Sequence, residues 1–104
     1  MTWDKLHAES EQLATEAQLA LHALNTERAL ALYKQAAQAE QKALERLDLS
    51  KVRTRGITAV SAVALWLKAN EYEIAEQLAY SMLADRNIPE FAHEELKKLV
   101  QSFE

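Results

Sequence analysis

A chain of 104 residues, 49% apolar and 27% charged, can bury one core and no more, so residues 1–104 are read as a single helical domain. With no cysteine it can form no disulfide, thiol nucleophile or cysteine-ligated zinc site. One glycine and one proline among abundant Ala, Leu, Glu, Gln and Lys leave little strand or turn chemistry, and a net charge of −4 argues against a general nucleic-acid binder.

Helical spacing predicts an all-α fold of five helices. The first spans about residues 3–23. Thr2 can cap it, and Trp3, Leu6, Leu13, Ala17, Ala20 and Leu24 share one face. The opening MTWDKLHAESEQ is polar and lacks the basic-then-apolar order of a signal peptide, and the lack of cysteine makes a cytoplasmic location the expectation. Leu24-Asn25-Thr26 reads as a tight turn, with Asn25 in the left-handed conformation and Thr26 capping the next helix. That second helix covers about residues 27–47 and carries Ala29, Leu30, Tyr33, Ala36, Ala37, Ala43, Leu44 and Leu47 on its packing side. Its many alanines predict close helix approach.

Asp48-Leu49-Ser50 ends the second helix, and the stretch to Arg55 reads as a polar, basic, mobile connector. The third helix, about residues 54–69, is apolar nearly all round, which predicts a central position. Its apolar run, residues 57–67, is too short for the roughly 20 residues that span a bilayer, so no membrane partner is expected. Asn70 should repeat the turn at Asn25. The fourth helix follows over about residues 71–84, with Ile74, Ala75, Leu78, Met82 and Leu83 inward. Asn87 or Ile88 is expected to cap the fifth helix, with Pro89 in its first turn and Phe91, Ala92, Leu96, Leu99 and Phe103 as its apolar stripe. The very short turns between helices one and two, and three and four, require two antiparallel hairpins. Neither buries its apolar face alone, so the two should stack, with the fifth helix as a C-terminal cap.

The hairpins read HALNTERALALYKQAAQAEQKAL and LKANEYEIAEQLAYSML. Each has a helix end, Asn, a short polar step and then Ala at the first packing position. This resembles the tetratricopeptide repeat. Asn70-Glu71-Tyr72 stands for the family's inter-helix turn and Ala75 for its small packing residue, while Ala29, Tyr33 and Ala36 match the spacing of its second helix. The matched alanines are 46 residues apart, against about 34 in a regular array, and the family's Trp, Gly and closing Pro positions are not filled. The segment 56–101 also resembles small uncharacterised bacterial helical proteins, a likeness that implies no function. The tetratricopeptide resemblance implies a peptide groove lined by helices one and three, with Gln18, His22 and Lys68 as its polar residues.

Chemistry has few candidates. Glu90-Phe91-Ala92-His93 and Asp4-Lys5-Leu6-His7 each place a carboxylate and an imidazole one helical turn apart, but a metal site needs further inward acids that helix three lacks. His93-Glu94-Glu95-Leu96-Lys97 fails as a zinc-protease motif because Lys97 stands where the second His is required. Ser61 lies in the apolar helix with no His near it in sequence, and no glycine-rich phosphate loop exists. No metal, cofactor or catalysis is expected. Lys42, Arg46, Lys51, Arg53 and Arg55 form a basic cluster diluted by Glu45 and Asp48. It could meet phosphates or an acidic partner, or simply be a solvated helix end. Trp3 and Phe103, near the two ends, could close the core or form a homodimer patch. The expected function is a non-catalytic adaptor or regulatory subunit that binds a peptide or partner helix through Gln18, His22 and Lys68, with Lys51, Arg53 and Arg55 contributing. The alternatives are a self-associating structural protein and a nucleic-acid accessory protein using residues 42–55.

Overall fold

Thr2 sets the first helix boundary. Its hydroxyl accepts from the Lys5 amide in a long 3.5 Å contact, and Asp4 in the first turn complements the helix dipole. From there the computed structural model, which describes residues 1–103, runs through α1 (Trp3–His22), α2 (Thr26–Glu45), α3 (Val52–Lys68), α4 (Tyr72–Leu83) and α5 (Glu90–Ser102). No strand occurs among the described residues. α1 and α2 form one hairpin, and α3 and α4 the other. α2 packs on both α1 and α3, and α5 closes on α3 and α4.

Both hairpin turns use the same backbone device. The Asn25 amide reaches back to the Ala20 carbonyl at 2.8 Å, and the Glu71 amide to the Trp66 carbonyl at 2.9 Å. Between the bonded residues sits one in the left-handed conformation, as this helix-ending motif requires. In the second turn that residue is Asn70, with φ 60°, as the sequence predicts. In the first it is Leu24, with φ 62°, and not Asn25. Asn25 instead caps α2, its side chain accepting from the Arg28 amide at 3.2 Å, so Thr26 is already helical.

Alanine decides how the hairpins stack. Ala17, Ala36, Ala37, Ala59, Ala75 and Ala79 are fully buried, and where both neighbours are small the backbones come close. The Ser10 hydroxyl measures this directly, donating to the backbone carbonyl of Ala36 on α2 at 2.9 Å. α3 is central as its composition predicts, touching α2, α4 and α5. It begins at Val52, so the expected loose connector is shorter. Residues 46–51 form a defined turn, with Asp48 accepting from the Ser50 amide at 2.8 Å and from the Lys51 amide, through its carbonyl, at 2.9 Å.

Gly56 is where α5 meets α3. A Cβ there would lie 2.5 Å from Pro89 Cδ and 3.0 Å from Ala92 Cβ. Pro89 stands one place earlier than expected, as the residue before the helix, and its carbonyl accepts from the Ala92 amide at 3.0 Å. This close approach turns Ala92, Leu96 and Val100 inward and leaves Phe91 exposed, which corrects the expected stripe. Trp66 is buried with its indole N–H on Gln41 at 2.8 Å, whereas Tyr72 lies outward, its hydroxyl donating to Asn70 at 3.0 Å. No helix among the described residues is long and apolar enough to cross a membrane.

Candidate functional site

The free end of the first hairpin is the surface with the least internal explanation. Lys34 pairs with Glu71, at the turn of the second hairpin, at 3.5 Å. Lys34 stands about two turns inside α2. The last turns of α1 and the first turns of α2 therefore extend beyond the second hairpin, and every residue from 21 to 28 is exposed. Three of the exposed residues on this tip are leucines. Leu19 is 65% exposed, Leu21 48% and Leu24 90%. The tip is held together from within by Ala17, Ala20, Ala29 and Leu32, all buried, so its own packing does not need the three leucines. Leu24 also adopts the left-handed backbone that a Cβ-bearing residue resists.

Gln18 and His22 lie on this tip and are exposed. Lys68 is exposed at the end of α3, its ammonium 5.8 Å from the centre of the buried Tyr33 ring on α2, within cation–π range. The structure does not bring these three together across an α1–α3 groove. α2 lies between the two helices, and α1 reaches α3 at its opposite end, where the Trp3 indole donates to Thr58 at 3.1 Å.

The basic segment divides. Lys42, Arg46, Lys51 and Arg53 are exposed, with the Arg53 guanidinium 5.8 Å from the Phe91 ring centre. Arg55 is buried on the inner face of α3. It donates to Asp85 at 2.7 Å and to the Asn87 carbonyl at 2.6 Å, clamping α3 to the α4–α5 loop. Arg55 and the Asn87 amide together hold the Asp85 carboxyl below its ordinary range. Its charge is spent inside the fold, so the exposed cluster is smaller than the sequence count implied.

His7 and His93 each have a partner outside their own helix. His93 is half-buried with Nε2 3.5 Å from the Asp85 carbonyl, while Glu90 is exposed. His7 pairs with Glu40 and not with Asp4: Nδ1 is 2.9 Å from Glu40 and Nε2 is 2.6 Å from Glu11, and Trp3 stacks on the ring at 4.7 Å. Glu40 was missed in the sequence although it is 1% exposed. The available signal was its place between Ala36 and Ala43 on the packing stripe, where a carboxyl demands a partner. Burial opposes charge on His7, but the hydrogen bond and charge of Glu40, with Glu11, outweigh it and raise its pKa. Among the described residues no group of three or more His, Asp or Glu side chains is placed to hold a metal ion. Comparison of the chain with family models, curated proteins and solved structures finds no match.

Proposed function

We propose that the chain is a non-catalytic interaction module, a small cytoplasmic adaptor or regulatory subunit, which holds an apolar peptide or partner helix on the free tip of its first hairpin. The observation that carries this reading is the cluster Leu19, Leu21 and Leu24 on a projecting tip whose own packing is complete without them. Burying one such side chain in a partner contributes about 1.5–3 kcal/mol, which is the scale of an interface anchor. Gln18 and His22 supply a polar rim beside the leucines. The sequence resemblance of the two hairpins to tetratricopeptide repeats supports the same class of function, since stacked hairpins present rigid helix surfaces.

The test is affinity capture with three forms of the full chain. These are wild type, a Leu21→Glu, Leu24→Glu variant and a His22→Glu, Lys68→Glu variant, each shown to be helical by circular dichroism. A partner retained by wild type and lost with the leucine variant supports the tip. Loss confined to the His22 and Lys68 variant moves the interface from the leucines to those polar positions. Capture of the chain alone, with a melting temperature that rises with concentration, favours the homodimer reading.

A further inference from the structure

The opposite end of α1 is fastened in an unusual way. A neutral imidazole has one N–H, yet both ring nitrogens of His7 lie on carboxyl oxygens, Glu11 at 2.6 Å and Glu40 at 2.9 Å. Only the doubly protonated ring donates to both. Its face is stacked on Trp3 with the planes 9° apart, and the Trp3 indole N–H is itself committed to Thr58 on α3, whose hydroxyl donates to the Thr54 carbonyl at 2.7 Å. One ring thus connects α1 to α2 directly and to α3 through Trp3.

We infer that the imidazolium of His7 is a proton-operated latch, holding the N-terminal turns of α1 on α2 and α3 and releasing them when the proton is lost. After loss, one nitrogen must present a lone pair to a carboxyl group. If Glu40 keeps the remaining N–H, Glu11 faces the lone pair. If Glu11 keeps it, the buried Glu40 is left without a donor, which is the costlier arrangement. In either case no positive charge offsets Glu40, and the ring that positions Trp3 is no longer held from both sides.

The groups that face the latch are few. α1 supplies Glu11, α2 supplies Glu40, and α3 supplies the uncharged Thr54 and Thr58. Lys42, Glu45 and Arg46 of α2 line a groove with Met1, Leu6 and Glu9. The direction follows from the raised pKa of His7. The latch is closed below the ordinary histidine value and opens as pH rises through the folded one. It is at the far end of α1 from Leu19, Leu21 and Leu24, and stands independently of the interaction reading.

The test follows the Trp3 indole N–H and His7 ring resonances of the full chain by NMR from about pH 5.5 to about pH 9. The expected result is that His7 titrates above the ordinary histidine value. The Trp3 indole signal should move with the His7 midpoint and lose exchange protection by about tenfold or more, while Trp66 stays fixed. Glu11→Gln, at an exposed position, should lower both midpoints together. His7→Gln should leave the Trp3 signal independent of pH. A Trp3 signal that stays still while His7 titrates overturns the proposal. So does a shift that survives in His7→Gln, or a His7 midpoint at the ordinary histidine value.

Discussion

Leu24 is a residue at which local conformation and side chain disagree. Its φ of 62° suits glycine or asparagine, and its side chain is 90% exposed, so it gains little from burial. Leu24→Gly should therefore stabilise the fold by about 1 kcal/mol, read from urea melts. A destabilised variant would mean that Leu24 makes contacts outweighing its backbone strain. Arg55 makes the opposite case, because its charge is buried and paired. Arg55→Met leaves Asp85 without its cation and should cost about 3 kcal/mol in the same assay. The depressed pKa of Asp85 fixes the sign of the acid response. Its contribution is present above the ordinary aspartate value and disappears as pH falls toward the folded one. Asp85→Asn should flatten that part of the acid limb, and an unchanged acid limb would contradict the clamp.

At the scale of elements, the sequence carried most of the fold. The periodicity of α2 and α5, the apolar girth of α3 and the short turns led to five helices in two hairpins with a closing helix, because these signals are local. What it did not carry was set between elements. Asn25 and Asn70 look alike in sequence, but Leu24 takes the left-handed position in the first turn, and Asn25 caps α2. Phe91 fits a helical stripe, but the closeness of Gly56 to Pro89 and Ala92 fixes the rotation of α5 and leaves Phe91 beside Arg53. Gly56 gives a sharp test. Elsewhere in a helix, Gly→Ala gains about 1 kcal/mol. Here the new methyl would lie 2.5 Å from the proline ring, and overpacking of this kind costs about 1–3 kcal/mol. Gly56→Ala should lower stability and loosen α5 in hydrogen exchange. A stabilised variant would show that α5 is not seated as described.

For the whole molecule, the candidate site was only partly legible. Gln18 and His22, expected in a groove between helices one and three, lie instead on the projecting tip, and the three leucines beside them were not singled out as a surface. Leu24 fitted the expected core face of α1, and only the stagger of the hairpins exposes it. Glu40 and Arg55 were hidden because their partners, His7 and Asp85, are 33 and 30 residues away in the chain. The central claim is that the tip of the first hairpin meets an apolar partner. Its most direct test places a photo-crosslinking residue at Leu21 in one variant and at the exposed Lys97 of α5 in another, with both irradiated in native cell extract. The account predicts one discrete partner protein crosslinked from position 21 and absent from position 97. No adduct at position 21, or the same products from both positions, would contradict it.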